Sequence, residues 1–280
     1  MPPIIASGWA SRDGPLQSAA MASEAVSIIV PTYREAQNIP VLAKRLFSAM
    51  KRADFTAELI IVDDDSQDGT EAAVAKLAET CPIRLITRTE ERGLSSAVVR
   101  GFAEAGHDIL LCMDADLSHP PESVPDVIKP ILENRAEFCI GSRYTHGGTA
   151  TEDWGLLRRI NSWGATLLAK PLTPARDPMA GFFCLRRSTL ERAKTAGLNP
   201  IGYKIALEIM VKARCHPIEE VPITFSDRLH GQSKLTLRQQ LLYLRHLIGL
   251  YRFRYPVISI LALLAAAAAV VAFAMWMFGN

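Results

Sequence analysis

From residue 25 onward, the chain alternates short apolar runs with longer amphipathic stretches, and this alternation limits the possible folds more than any other feature. The apolar runs predict strands at 26–30, 59–62, 83–87, 109–113 and 138–141. The amphipathic stretches predict helices that begin after Asn38, an N-cap residue, and at 70–79, 95–105 and 122–134. Strands and helices that alternate at this spacing predict an α/β fold, with a mainly parallel sheet and helices on both faces.

The pattern changes after residue 145. It predicts a helix that ends at Lys170, strands at 182–185 and 221–225, and a helix at 204–214 between these strands. Residues 236–255 are basic and have an apolar face, which is typical of a helix that lies in a membrane interface.

Residues 256–278 carry no charge and are long enough to cross a membrane, so we expect a transmembrane helix there. Arginines just before this span favour a single-pass protein with its main domain in the cytoplasm and its C-terminus on the far side. Residues 1–22 lack an apolar stretch long enough for a signal peptide, and we expect a disordered leader, with translation starting at Met1 or Met21. The α/β domain then occupies 23–235.

Charge and cysteine content exclude several classes of protein. The net charge is +2, which gives no basis for nucleic-acid binding. None of the five cysteines forms a C-x-x-C pair, so zinc and thioredoxin-like sites are not indicated. There is also no Gly-rich dinucleotide loop and no P-loop lysine, so hydride transfer and P-loop nucleotide hydrolysis are not indicated.

Polar residues follow four of the predicted strands. They lie at 31–35, 63–66, 114–116 and 141–143. In an open parallel sheet, ligands bind beyond the carboxyl ends of the strands, so we expect one site built from these four segments.

The pair Asp114 and Asp116 is the centre of this expected site. Two carboxylates separated by one residue can share a hard cation such as Mg²⁺ or Mn²⁺. Such a cation neutralises a diphosphate leaving group. Among 63–65 we expect one carboxylate to accept a hydrogen bond from a nucleotide, while Ser66 or Asp68 can cap the next helix.

Together these motifs resemble the dolichyl-phosphate mannose synthase branch of the family 2 glycosyltransferases over about residues 25–235. The resemblance rests on Val30-Pro-Thr-Tyr-Arg-Glu35, Val62-Asp-Asp-Asp-Ser66, Asp68-Gly-Thr70, Arg92-Gly-Leu94, Asp114-Ala-Asp-Leu-Ser-His-Pro-Pro-Glu122, Gly141-Ser-Arg-Tyr144 and Arg228…Gly231…Ser233-Lys234. Segment 177–183 matches the family in part, since Phe183 stands where an arginine is common.

The resemblance implies a GT-A fold, a nucleotide-sugar donor, a divalent metal and an inverting displacement. The implied nucleotide-binding residues are Pro31, Tyr33, Glu35, one of Asp63 or Asp64, Arg92, Asp114 and Ala115. The implied metal ligands are Asp114, Asp116 and Ser118, the last in place of the family's usual glutamine. The implied acceptor-phosphate residues are Arg143, Arg158, Ser162, Arg228 and Lys234, and Asp116 and Arg143 are the implied catalytic residues.

The implied reaction moves a sugar from GDP-mannose or a UDP-hexose to a polyprenyl phosphate at the cytoplasmic membrane face. A phosphate monoester is largely dianionic at neutral pH and needs no general base. We therefore nominate no catalytic histidine and expect His119 to be structural.

Three alternatives remain at this point. A related transferase with a hydroxyl acceptor would need a further acid as base, and Glu208 is the candidate. A nucleotidyltransferase would open with a Gly-rich loop, which 30–35 is not. A non-catalytic membrane scaffold is disfavoured by the intact Asp114 and Asp116.

Overall fold

The computed structural model describes residues 25–150, 156–225 and 237–261, together with 264, 265 and 268. The strands in these residues are β1 Ala25–Thr32, β2 Thr56–Asp63, β3 Ile83–Thr87, β4 Ile109–Cys112, β5 Phe138–Ser142, β6 Thr149–Ala150, β7 Phe183–Arg186, β8 Ile218–Pro222 and β9 Thr224–Phe225. The helices are α1 Ile39–Arg52, α2 Thr70–Ala78, α3 Leu94–Glu104, α4 Val124–Leu132, α5 Leu156–Ala169, α6 Arg187–Thr195, α7 Ile205–Lys212 and α8 Leu237–Arg254.

One large sheet has the strand order β3-β2-β1-β4-β7-β5-β8. Strands β1, β2, β3 and β4 pair in parallel, as do β5 and β8. Strand β7 lies between β4 and β5 and runs antiparallel to both. The predicted mainly parallel sheet is therefore confirmed, although the sequence pattern gave no sign that β7 runs in the opposite direction.

Two local predictions were wrong, and one helix was not predicted. The stretch 221–225 is not one strand: β8 ends at Pro222, and β9 pairs with β6 in a separate small sheet. Helix α6 was not predicted, because it follows β7 directly and is mostly polar. Asn38 lies at the N-cap position of α1, but its side chain donates to Glu35 Oε2 at 2.6 Å and makes no capping bond.

The sheet is covered on both faces, as predicted. Successive side chains of a strand point to opposite faces. Ile28 of β1 therefore packs into a core with Leu42 of α1, whereas its neighbour Ile29 packs into a second core with Phe102 of α3. Helices α1, α2 and α4 contribute to the first core, and α3, α6 and α7 contribute to the second.

A third core joins α7 and α8 to the end of α5. Leu207 of α7 packs there with Leu247 and Leu250 of α8. Two tyrosines of α8 and one just after it also donate to carbonyl oxygens at or just beyond the end of α5: Tyr243 to Ala165 at 2.7 Å, Tyr251 to Leu168 at 2.8 Å and Tyr255 to Pro171 at 2.5 Å. Helix α8 is therefore anchored to the α/β domain along its length.

The predicted membrane span is described only in part. Residues 256–261 are helical, and most of 262–278 lies outside the described residues. Within the part of the chain that is described, no helix meets the length and hydropathy needed to cross a bilayer.

A substitution at Gly141 of β5 tests how tightly side chains pack beneath the ends of the strands. A Cβ at this position would lie 2.4 Å from Cδ1 of Phe182, so Gly141→Ala must displace that ring. We expect a loss of about 1–3 kcal/mol of unfolding free energy, measured by thermal or urea unfolding.

Gly164 of α5 is the matched control. A Cβ there meets no atom within 4 Å, so Gly164→Ala should stabilise the helix by about 0.5–1 kcal/mol. Equal stabilities for the Gly141→Ala variant and the wild type would contradict this packing.

Candidate active site

The four polar segments meet at one edge of the sheet. Strands β1 and β2 end in register, with Thr32 opposite Asp63. Strands β4 and β5 end on the two sides of the start of β7. The segments that follow β1, β2, β4 and β5 are thus brought together, and the segment that precedes β7 joins them because β7 runs in the opposite direction.

Protein groups already hold the first two acids after β2. Asp63 accepts hydrogen bonds from the Thr32 hydroxyl at 3.0 Å and from the Ser66 backbone N–H at 2.8 Å. Asp64 pairs with Arg88, whose Nε lies 2.8 Å from Oδ1, and accepts from the Gly93 N–H at 2.7 Å. Both acids are buried, so they shape the loops around the expected nucleotide position.

An aromatic ring and two arginines lie beside these acids. The Tyr33 ring has the guanidinium of Arg34 at 5.3 Å and that of Arg92 at 5.9 Å from its centre. Arg92 also lies 3.9 Å from Asp65, the more exposed acid of the trio. Glu35 is held by its bond to Asn38. Of the residues nominated for the nucleotide, Pro31, Tyr33, Glu35 and Arg92 therefore lie around the same loops.

The carboxylate pair follows β4 directly. Asp116 is buried, and its Oδ1 accepts from the Ser118 backbone N–H at 3.1 Å and hydroxyl at 2.6 Å. Ser118 thus orients Asp116. The Asp114 side chain is about one-third exposed, 34%. Its carboxylate lies opposite Gly181, where a Cβ would approach Oδ2 to 3.4 Å.

These donors suit a hard divalent cation, because carboxylate oxygens are the ligands that Mg²⁺ and Mn²⁺ prefer. Across the described residues, no cluster of three or more His, Cys, Asp or Glu side chains could hold a metal. A cation held by Asp114 and Asp116 would complete its coordination with diphosphate oxygens and water, as is usual for Mg²⁺.

His119 connects the carboxylate pair to the opposite side of the site. Its Nδ1 accepts from the Asp114 backbone N–H at 3.0 Å, which places the proton of the neutral ring on Nε2. The ring stacks on Phe182 at 5.3 Å and meets the edge of Phe225 at 5.6 Å. The Arg143 guanidinium lies 5.0 Å from the centre of the Phe225 ring.

Arg143 faces the pair from the end of β5. Its Nε and Nη2 atoms bind Asp177 at 3.0 and 3.1 Å, and Asp177 is fully buried. This two-point contact fixes the plane of the guanidinium. Asp177 belongs to the segment before β7, which sequence reasoning treated only as a partial match.

Lys204 is a site residue that sequence reasoning missed. It precedes α7, is partly buried and donates to the Met179 carbonyl at 2.8 Å. The pKa of its ammonium is lowered to about 8, mainly by burial and also by the nearby charge of Arg143, while Asp177 and Asp114 oppose the shift. The available signal was a lysine at the start of a helix whose other residues are almost all buried.

Four residues nominated for the acceptor phosphate are not placed in detail. Arg158 and Ser162 lie in the first part of α5, residues 156–162, where only the backbone is described, and Arg228 and Lys234 lie outside the described residues. Glu208, the alternative base, is 2% exposed and is bound to His246 and to the Asn199 N–H. Both oxygens of its carboxylate are therefore engaged by protein groups.

Solved structures share this fold. Mannosyl-3-phosphoglycerate synthase from Rubrobacter xylanophilus matches with a TM-score of 0.61 and 18% identity, over 82% of this chain and 74% of that one. A mannosyltransferase from Pyrobaculum calidifontis, solved with GDP-Man and Mn²⁺, matches with a TM-score of 0.54 and 21% identity, over 89% and 74%. The predicted GT-A type of α/β fold is confirmed.

Sequence comparison places the chain in a family. The family model described as Glycosyl transferase family 2 matches residues 27–193, and the chain belongs to this family of glycosyltransferases. The dolichol-phosphate mannosyltransferase of Mycosarcoma maydis is 43% identical over 265 residues, 92% of this chain and 86% of the relative. That of Saccharomyces cerevisiae is 44% identical over 236 residues, 82% and 88%. The resemblance seen in the motifs is thus confirmed.

His119 offers a test of how the carboxylate pair is held. His119→Phe keeps an aromatic ring but leaves the Asp114 N–H without its acceptor, which costs about 1–3 kcal/mol when the group is buried. We expect nucleotide affinity in the presence of Mn²⁺, measured by calorimetry, to fall about tenfold.

His119→Asn is the matched variant, because its Oδ1 replaces Nδ1 as acceptor. It should bind nucleotide within about threefold of the wild type. If the phenylalanine variant bound as tightly as the wild type, the acceptor role of His119 would be wrong.

Proposed function

We propose that the protein transfers a hexosyl group, mannose first among the candidates, from a nucleotide-sugar to a polyprenyl phosphate at the cytoplasmic face of a membrane. The observation that carries the proposal is the arrangement at the sheet edge. The carboxylate pair lies near two cationic side chains, Arg143 and Lys204. Helices α5 and α8, which pack close by, expose several apolar side chains. The donor diphosphate, the acceptor phosphate and the lipid each have a complementary surface there.

The donor fits the side of the site formed by β1 and β2. Asp63 and Asp64 hold the loops, while Tyr33 and Arg92 provide an aromatic ring and a cation for the nucleotide. Asp114 and Asp116 would hold Mg²⁺ or Mn²⁺, with Ser118 fixing the orientation of Asp116. When bound, the cation would neutralise the charge that develops on the leaving nucleoside diphosphate.

The acceptor fits the opposite side. Arg143 is held in plane by Asp177, and Lys204 lies close enough to share its electrostatic environment. Arginine and lysine both recognise phosphate, the first with a planar fork and the second as a point charge. Arg158, Ser162, Arg228 and Lys234 belong to the same proposal by family likeness.

The chemistry needs no general base. The acceptor phosphate is largely dianionic at neutral pH and can attack the anomeric carbon directly. The protein's contribution is orientation and charge neutralisation. Displacement on the side opposite the leaving group would invert an α-linked donor to a β-linked lipid-phosphate sugar.

Membrane attachment is supported by the exposed side chains of α5 and α8. We call this set the apolar surface, and it comprises Trp163, Leu167, Leu168, Leu241, Leu244 and Ile248. The tyrosines of α8 hold the two helices together. Exposed Arg245, Arg252 and Arg254 accompany the apolar side chains, a combination typical of interfacial helices. Residues 256–278 would then cross the bilayer.

The names of the relatives support mannose as the sugar and a polyprenyl phosphate as the acceptor. The Mycosarcoma and Saccharomyces proteins are named as dolichol-phosphate mannosyltransferases, which favours mannose and a polyprenyl phosphate here. The alternative of a hydroxyl acceptor loses its candidate base, because Glu208 is buried against His246.

A direct assay tests the proposal. Membranes that contain the protein, with Mn²⁺, polyprenyl phosphate and either GDP-mannose or a UDP-hexose, should yield a lipid-linked hexose by mass spectrometry. Asp116→Asn should lower the rate about 100-fold or more, because the leaving group loses its electrostatic stabilisation. Asp126→Asn, on an exposed face of α4, is the control and should retain full rate. No product from any donor would refute the proposal.

The lowered pKa of Lys204 predicts a pH dependence. Lys204 is mostly protonated at pH 7 and loses its charge as the pH rises through about 8, whereas the acceptor phosphate stays dianionic. We expect kcat/KM for the lipid acceptor to decline across this range.

Lys204→Met should be slower at pH 7 and should lack this decline. Lys212→Met, at the other end of α7, should keep the wild-type profile. An identical decline in Lys204→Met would assign the titration to another group.

A further inference from the structure

A buried pair of ionisable side chains joins α7 to α8 outside the site described above. Glu208 is 2% exposed and His246 is 5% exposed. His246 Nε2 contacts Glu208 Oε2 directly. Burying such a pair carries a desolvation penalty that its attraction often fails to recover, and apolar residues of similar volume are commonly as stable. Added stability therefore does not explain well why these two residues are buried together. A requirement for one particular arrangement of α7 and α8 explains it better.

Glu208 contacts the segment that leads into α7 as well as His246 on α8. Its second oxygen, Oε1, accepts from the Asn199 N–H at 3.0 Å, so the carboxylate also holds the segment that leads into the helix. Its own backbone N–H bonds to the Lys204 carbonyl at 3.2 Å, one helical turn earlier. A shift of Glu208 therefore moves Lys204.

From Lys204 the contacts continue to the site. Its ammonium donates to the Met179 carbonyl in the segment before β7. The same segment carries Asp177, which binds Arg143, and Gly181, which lies against Asp114. Consecutive contacts thus run from His246 on α8 to the cations proposed to bind the acceptor phosphate.

The other side of α8 carries part of the apolar surface. Leu244 and Ile248 flank His246 in sequence and are exposed, whereas His246 and Leu247 are buried. One helix therefore exposes apolar side chains on one face and contacts the active-site network with the other.

We propose that Glu208 and His246 are positioning residues that hold α8 in one register against α7, so that α8 seated on the membrane places Lys204 and the Asp177 segment for the acceptor phosphate. This inference rests on the proposed function and adds a means by which the lipid surface and the reaction site are aligned.

The test replaces the pair by apolar residues. The double variant Glu208→Met with His246→Leu removes both charges without leaving one of them buried alone, so it should fold. We expect a thermal midpoint close to the wild type, a nucleotide affinity within about twofold, and a kcat for polyprenyl phosphate in vesicles reduced about tenfold or more, because small misplacements of binding groups are costly.

Two further variants separate positioning from stability. His246→Gln keeps a nitrogen that can donate to Glu208, and it should recover a kcat within about threefold of the wild type. Tyr255→Phe removes a contact made just after α8, the bond to the Pro171 carbonyl, and should leave kcat unchanged.

The outcomes are distinguishable. A wild-type protein that makes no lipid-linked sugar would overturn the proposed function. An active wild type together with a folded double variant of equal kcat would overturn this inference alone. A reduced kcat in the double variant that His246→Gln recovers would support it.

Discussion

The direction of β7 is the constraint on which the site depends. Because β7 runs antiparallel between β4 and β5, the segment that precedes it arrives at the same edge as the segments that follow its neighbours. Asp177 and Gly181 are thereby placed beside Arg143 and Asp114. In a wholly parallel sheet this segment would lie at the opposite edge, and Arg143 would lose the partner that fixes its plane.

The charged side chains around this edge fall into two groups that differ in burial. Buried acids such as Asp64 and Asp177 are each paired with an arginine and act as supports. The more exposed Asp114 and the partly buried Lys204 are placed where a ligand can reach them. In the proposed function, this division lets one edge bring two anionic substrates together. The donor diphosphate would meet the carboxylate pair through a cation, and the acceptor phosphate would meet the basic groups.

Much of the fold could be predicted because each strand appears in the sequence as a short, regular pattern of neighbouring residues. Runs such as 59–62 and 83–87 are apolar and bounded by polar segments, and they form β2 and β3 as expected. Strand direction could not be predicted, since the pattern of 182–185 is the same for either direction. Lys204 was missed for a similar reason, because its burial depends on the segment around Met179, which is distant in sequence and absent from a local pattern. Arg143 could be nominated because it directly follows a buried strand, and Asp116 because it forms a pair of carboxylates with Asp114 just past one. Their catalytic roles were implied by the family resemblance.

The central claim of the proposed function is that a phosphate oxygen of the acceptor attacks the anomeric carbon of the donor. The most direct measurement uses polyprenyl phosphate labelled with ¹⁸O in its phosphate and a donor labelled with ¹³C at the anomeric carbon. The account predicts a ¹³C–¹⁸O bond in a β-linked product, seen as an isotope shift in the carbon NMR spectrum, and an unlabelled nucleoside diphosphate. A product in which the anomeric carbon keeps its original ¹⁶O would place the attack at phosphorus and contradict the account.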